Sequence, residues 1–282
     1  MTLSGKTLVA GIVGAPVTHS LSPVIHNAWL AAAGIDGVYV PFAVAIDRFA
    51  AFAEGLRGGG SVMGVNVTVP FKEAALAAAD RASDRARAAG AANVLVFGAD
   101  DTLAADNTDG VGLLAALAST EGGFDPLAGP AVVFGAGGAA RGAVSALIAA
   151  GVPEIRLVNR SADRAAALAT AFGPKVRVAA TAETAVRDAT VIVNATTLGL
   201  GGSPGPMTSF EAAPRGVLVM DMVYKPLRTP FLQAARAAGL RTADGLTMLI
   251  AQAAPSFEAF FGQPPPDIDV RSLCLNLLGE TE

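Results

Sequence analysis

Cysteine occurs once, at Cys274, so no internal disulfide can form and a reducing compartment is the expected setting. Histidine occurs only at His19 and His26. With a single thiol they cannot assemble a His-rich metal site, so no metal is expected, and a general-base role for His26 is the weaker reading. Charge is scarce as well: charged residues make up 16% of the chain, the formal net charge is −4, and there is neither a block of like charges nor a basic tail. A broad nucleic-acid footprint is therefore not expected. No stretch of about 18 residues is apolar without charges and breakers, so no membrane span is expected. The short apolar run near the N-terminus lacks a signal-peptide cleavage pattern, and the expectation is a soluble, cytoplasmic protein. Disorder is excluded by an apolar content of 52%. A chain of 282 residues is long enough for one large domain or two ordinary ones.

What the chain does have is alternation. "TLVAGIVG" reads as a buried strand, and "SPVIHNAWLAAAG" as a helix with Ser22 as N-cap, Pro23 in its first turn and Gly34 after its end. "GVYVPFAV" is a second strand and "IDRFAAFAEGLRGG" an amphipathic helix. "VMGVNVTVP" is a third strand, residues 71–89 read as largely helical, and "VLVFGADDTLAAD" as a hairpin. A second βα series begins near residue 130, with buried strands in "PAVVFG", "EIRLVNR", "KVRVA", "TVIVNATT" and "GVLVMDMVY". The tail, "GLTMLIAQAAPSFEAFFG" and "DIDVRSLCLNLL", reads as helical. Such alternation predicts parallel sheets with helical crossovers, an α/β fold of two α/β domains.

The turn "VVFGAGGAARG" places Gly135-x-Gly137-x-x-Ala140 between a strand and a helix. Small residues there permit a tight turn, close approach of a pyrophosphate to the backbone, and helix–strand packing, while the helix N-terminus offers free N–H groups. An NAD site places a carboxylate about 20 residues further on, to accept the ribose 2′-OH. Here the next strand ends in "NRSADR": Asn159, Arg160 and Ser161, with Arg164 one turn into the helix. Two guanidiniums and no carboxylate at the tip favour a 2′-phosphate, hence NADP (NADPH) over NAD. The alternative is a solvated helix start in which arginine pairs with Asp163.

In "GVNVTVPFK" the strand period puts Val65, Val67 and Val69 on one face and Asn66 and Thr68 on the other, with Lys72 just past Pro70. A dehydrogenase must move the hydroxyl proton as well as the hydride. Lys72 is a candidate for that task, and Asp109 in "ADNTDGVG" is its candidate partner. Taken singly, Lys72 could be a surface lysine in a helix's first turn and Asp109 a helix N-terminal acid.

These motifs occur in collinear order with others: "GAPVTHSLSPVIHN" (14–27), "AGAAN" (89–93), "NTDGVG" (107–112), "NATTLGL" (194–200), "DMVYKP" (221–226) and "GLTMLIAQA" (245–253). As an ordered set spanning nearly the whole chain, they resemble the shikimate dehydrogenase family, which includes shikimate/quinate enzymes. The resemblance implies NADP-dependent, reversible reduction of 3-dehydroshikimate to shikimate, a step toward chorismate and the aromatic amino acids. It implies Lys72 and Asp109 as the catalytic pair and Ser20 and Ser22 on the substrate carboxylate. Asn66, Thr68, Asn93, Asp109 and Gln252 would contact the ring hydroxyls, and Tyr224 would close the substrate site. Gly135, Ala136, Gly137, Gly138, Ala139, Asn159, Arg160, Ser161, Arg164, Met222 and Gly245 would line the cofactor path. One departure from the family pattern is Val94, where threonine usually follows the asparagine of the "GAxN" turn.

Plainer readings stand beside each of these. Ser22 could be only a helix cap and Ser20 a turn residue. Asn66 and Thr68 could satisfy loop backbone, Gln252 bridge helices, Tyr224 fill core and Met222 simply pack. The domain expectation is a substrate-binding domain over 1–108, completed by C-terminal helices 247–282, and a doubly wound Rossmann-type NADP-binding domain over 109–246. The links fall at "NTDGVG" and "ADGLTM", an arrangement that suggests hinge closure. Two rival functions are an NAD-dependent quinate/shikimate dehydrogenase and a non-catalytic module that binds NADP or a shikimate-like acid. The expected partner is a small-molecule substrate, and the assembly considered is a homodimer, though sequence alone does not give the oligomeric state.

Overall fold

A computed structural model of the chain describes residues 3–207 and 209–280. The chain divides into two compact units, Met1–Thr108 with Gln252–Glu282, and Asp109–Ala251.

The first unit begins with β1 (Leu8–Gly14), α1 (Ser22–Ala33) and β2 (Gly37–Ala43), then α2 (Phe49–Gly55) and β3 (Val62–Val67). It continues through α3 (Lys72–Ala78), β4 (Arg81–Ala82), α4 (Asp84–Ala89), β5 (Val94–Phe97) and β6 (Leu103–Asp106). The strands form one six-stranded sheet in the order β2-β1-β3-β5-β6-β4. β1 pairs in parallel with both β2 and β3. The hairpin expected in "VLVFGADDTLAAD" is present, and β5 runs antiparallel both to β6 within it and to β3. The hairpin is closed by Gly98 N–H donating to the Thr102 carbonyl at 2.8 Å, and a short turn can only return the chain antiparallel.

Two local expectations are corrected, and the largely helical reading of 71–89 holds with a short extended break. α1 keeps Pro23 in its first turn and ends at Gly34 with φ 66°, but its cap position is Leu21 and no side chain caps it. Residues 71–89 are two short helices around an extended segment. Asp80 and Ser83 donate their N–H groups to the Leu103 and Ala105 carbonyls at 2.9 Å, so pairing with β6 overrides helix propensity. β3 ends at Val67; Val65 and Val67 are buried, whereas Val69 is 49% exposed and lies outside the core.

The second unit holds α5 (Asp109–Ala118), β7 (Ala131–Phe134), α6 (Gly138–Ala150), β8 (Ile155–Val158), α7 (Ala162–Phe172), β9 (Val176–Val178) and α8 (Ala182–Ala185). After these come β10 (Val191–Asn194), β11 (Leu218–Asp221), α9 (Pro230–Ala237) and β12 (Arg241–Ala243). Its sheet runs β12-β11-β10-β7-β8-β9, and every pairing is parallel. That is the doubly wound dinucleotide-binding order, with the strand order reversing between β7 and β10. Both faces are covered. Val133, Val193 and Met220 pack with Leu113, Leu147 and Ile155 on one side, and Val132, Ile192 and Val219 with Phe231 and Leu232 on the other. Two-sided burial is why these strands read as unbroken apolar runs.

α10 (Gly245–Phe261) begins in the second unit and enters the first at Gln252, and α11 (Val270–Leu278) follows. The division between the units falls within α10, at Gln252, where the expectation put it at 247.

Candidate functional site

The glycine turn sits where the doubly wound sheet reverses. Gly135 follows β7 with φ 115°, a conformation L side chains rarely adopt, and a Cβ there would lie 3.0 Å from the Ala195 carbonyl oxygen after β10. Gly137 occupies the cap position of α6, which takes no side-chain cap, so its first N–H groups stay available. A Cβ on Gly137 would enter open space whose nearest neighbour is an Arg164 guanidinium nitrogen at 3.9 Å. Gly138 starts α6, while Ala136 and Ala139 rest against the core. An uncapped helix start, a glycine cradle and an arginine above it fit a dinucleotide pyrophosphate.

At the tip of β8, Asn159 donates to the Ser161 carbonyl at 2.9 Å, and Ser161 Oγ caps α7 by accepting from Arg164 N–H at 3.4 Å. These bonds shape the loop and leave Arg160 and Arg164 exposed. Among the described residues neither guanidinium has an ion-pair partner, so Asp163 does not occupy them. Two unneutralised arginines beside the turn suit a further phosphate.

The ends of β10 and β11 are tied by Asp221, to which sequence reasoning gave no role. Its buried carboxylate accepts from Asn194 Nδ2 at 2.9 Å, Val223 N–H at 2.9 Å and Thr229 Oγ1 at 2.6 Å. Burial pushes this carboxyl up to about 6, against the three hydrogen bonds that favour its charge. The bond to Val223 fixes the backbone between Met222 and Tyr224, the latter half-buried. Met222 is partly buried against the core, and its carbonyl oxygen would lie 2.6 Å from a Cβ on Gly245. Gly245 is therefore required by close approach.

In the first unit three of the expected ring-hydroxyl ligands, Asn66, Asn93 and Gln252, belong to one buried polar network. Asn93 Nδ2 donates to Gln252 Oε1 at 3.0 Å and to Thr108 Oγ1 at 2.9 Å. Thr108 N–H returns a bond to Asn93 Oδ1 at 2.7 Å. Asn66 Nδ2 donates to the Asn93 carbonyl at 3.2 Å and to Ser256 Oγ at 2.9 Å, and its Oδ1 accepts from Tyr39 at 2.7 Å. Tyr39, Thr108 and Ser256 carried no sequence signal of their own, because the partners that explain them are 27, 15 and 190 residues away. The Thr68 methyl packs over Gly14, where a Cβ would approach it to 2.5 Å. Ser20 Oγ accepts from Ser22 N–H at 3.2 Å, which places both serines at the start of α1, where the cap residue Leu21 supplies no side-chain bond. Val94 is fully buried on β5.

Lys72 is the first residue of α3 and half-buried; Asp109 is the first residue of α5 and buried. His26 is fully buried, lies flat on Tyr39 with centroids 4.1 Å apart, and is held by burial at a pKa of about 3, so it stays neutral and is no general base near pH 7. Burial also pushes the Cys274 thiol up to about 11, which removes it as a nucleophile. Among the described residues no group of three or more His, Cys, Asp or Glu could hold a metal ion. No helix among them is long and apolar enough to cross a membrane.

Comparison with known proteins decides the family. Residues 12–95 match the shikimate dehydrogenase substrate binding domain, 122–199 match shikimate / quinate 5-dehydrogenase, and 245–270 match the shikimate 5′-dehydrogenase C-terminal domain. The shikimate dehydrogenase (NADP(+)) of Caulobacter vibrioides is 59% identical over 99% of this chain and 98% of its own. The chain belongs to the shikimate dehydrogenase family. A second shikimate dehydrogenase (NADP(+)), from Dinoroseobacter shibae, is 48% identical over 92% of this chain and 94% of its own. A crystal structure of shikimate 5-dehydrogenase from Thermus thermophilus in complex with NADP(H) and shikimate superposes with a TM-score of 0.81 at 38% identity, covering 92% of this chain and 95% of that one. The fold is accordingly the α/β fold of shikimate dehydrogenases, including a Rossmann-like second unit.

Proposed function

We propose that this chain catalyses the reversible, NADP-dependent reduction of 3-dehydroshikimate to shikimate on the route to the aromatic amino acids. The observation that carries the reading is the 59% identity, over essentially the whole of both chains, to a shikimate dehydrogenase (NADP(+)). The open glycine cradle and the two exposed arginines at the β8 tip support the choice of NADP.

When bound, NADPH supplies the hydride that reaches the carbonyl carbon. Gly135–Ala139 and the start of α6 would hold its pyrophosphate, Arg160 and Arg164 the 2′-phosphate, and Met222 and Gly245 would line its path. Lys72 and Asp109 are proposed to handle the proton at the carbonyl oxygen. The Lys72 ammonium would give a proton to the oxygen as negative charge develops on it, and the resulting amine would take that proton back from the alcohol in the reverse direction, with Asp109 as the second member of the proposed pair. Ser20, Ser22 and the start of α1 bind the substrate carboxylate. Asn66, Thr68, Asn93, Asp109 and Gln252 bind the ring hydroxyls, and Tyr224 closes the site. A site that hydrogen-bonds each hydroxyl discriminates against analogues that leave its buried polar groups unpaired.

The proposed domain roles follow the same division, with substrate held chiefly by the first unit and NADP by the second, to which Asp109 and Tyr224 also belong. A cytoplasmic location belongs to the proposal too; a monomer and a homodimer are separated by light scattering on the eluted protein. Steady-state assays of NADP against NAD and of shikimate against quinate test the function. The expected result is highest kcat/KM for shikimate with NADP. Higher efficiency with NAD or quinate replaces the reading with the quinate/shikimate alternative, and no turnover with any pair replaces it with a binding module.

A further inference from the structure

The Asn66 amide is constrained on three sides within the first unit. Ser256 Oγ spends its single proton on the Gln252 carbonyl at 3.2 Å, so toward Asn66 it can only accept. The Asn93 carbonyl, which already accepts from Val67 N–H at 2.8 Å, is likewise an acceptor. Both groups must therefore face the Asn66 NH2, at 2.9 and 3.2 Å, and both of its N–H bonds are used. That leaves Oδ1 pointing at the Tyr39 hydroxyl, 2.7 Å away, which must donate. One lone pair of Oδ1 remains. Tyr39 is itself fixed from behind. The His26 ring lies on it with planes 9° apart, Trp29 meets His26 edge-on at 5.5 Å, and neither His26 nitrogen has a hydrogen-bond partner in the described structure. Asn27 also holds the Tyr39 backbone through its N–H and carbonyl, at 3.0 and 2.9 Å.

We propose that Tyr39 is a positioning residue for substrate recognition: backed by the flat ring of His26, its hydroxyl locks the Asn66 amide so that Asn66 meets a ligand only as a hydrogen-bond acceptor. The inference rests on the reading of Asn66 as a ligand residue. It adds that Asn66 selects a substrate hydroxyl as donor, and that this selectivity is set by a side chain that itself need not touch the substrate.

A double-mutant cycle with shikimate and NADP tests it. Tyr39→Phe keeps the ring stacked on His26 and removes only the hydroxyl. KM for shikimate is expected to rise about fivefold to tenfold, the size of one neutral hydrogen bond, with kcat and KM for NADP within twofold of the parent. Asn66→Ala is expected to raise KM for shikimate about tenfold or more, and Tyr39→Phe in that background to add nothing. A Tyr39→Phe protein whose KM for shikimate stays within twofold, or whose effect multiplies in full with that of Asn66→Ala, overturns the proposal. An Asn66→Ala protein with unchanged KM overturns the underlying reading of Asn66, a failure seen in a different arm. Should Tyr39→Phe melt before assay temperature, Ser256→Ala releases the opposite side of the same amide. The same rise in KM, absent in the Asn66→Ala background, then supports the proposal, and its absence overturns it.

Discussion

Thr229 Oγ1 donates a 2.6 Å hydrogen bond to the Asp221 carboxylate and also caps α9 by accepting from Leu232 N–H at 3.2 Å. One hydroxyl thus joins a buried charge to the start of a helix, and the state of that charge is linked to the stability of the second unit.

The sign of this linkage follows from the raised carboxyl. Asp221 titrates near 3.8 in a model peptide and about 6 when folded, so between those values the folded chain binds more protons than the unfolded chain. Its contribution to stability is fully present below about 4 and is lost as pH rises through about 6, with a magnitude of about 3 kcal/mol. In Asp221→Asn this component disappears. Denaturant titrations at pH 4.5 and pH 7.5 are expected to show a smaller difference between the two pH values for the variant than for the parent.

Arg160 and Arg164 are exposed and, among the described residues, have no ion-pair partner, so removing them takes away ligand contacts rather than packing. The double variant Arg160→Ala/Arg164→Ala is expected to raise KM for NADP by about tenfold to a hundredfold, on the scale of one or two charge-assisted hydrogen bonds, with KM for NAD within threefold. Steady-state kinetics with both cofactors check this, and equal losses for NAD and NADP would count against a 2′-phosphate role.

Lys72→Ala is expected to lower kcat by about a hundredfold or more while changing the dissociation constant of shikimate by less than tenfold, the signature of proton handling rather than uniform binding. Turnover assays combined with equilibrium binding separate the two effects. Turnover near that of the parent would remove Lys72 from the proposed pair.

Gly245→Ala places a methyl carbon 2.6 Å from the Met222 carbonyl oxygen, a backbone atom that cannot rotate away. The expected outcome is a loss of about 1–3 kcal/mol in unfolding free energy, read by denaturant titration, together with weaker NADP binding, read by fluorescence titration.

The second unit was legible because its signals are local. Strand, glycine turn and helix follow one another within "AVVFGAGGAARGAV", and two-sided burial makes each strand an apolar run. The first unit was less so. The Ala-rich run at 71–89 has high helix propensity, yet it breaks where β6 offers the carbonyls of Leu103 and Ala105. Ser22 looked like a cap because Pro23 follows it, but the hydroxyl that engages the start of α1 is that of Ser20, which accepts from Ser22 N–H. Asn66, Asn93 and Gln252 could be named from motifs. That they share partners in Thr108 and Ser256 depends on α10 returning to the first unit, which no spacing in the sequence encodes.

That return has a practical outcome for anyone dissecting the molecule. A truncated product covering only 1–108 would lack Ser256, one of two acceptors for the Asn66 amide, and Gln252, the acceptor of both Asn93 and Thr108. The first half on its own therefore calls for the C-terminal residues to be spliced back onto it through an engineered linker, and because the division at Gln252 falls inside α10, the splice has to carry the whole helix from Gly245.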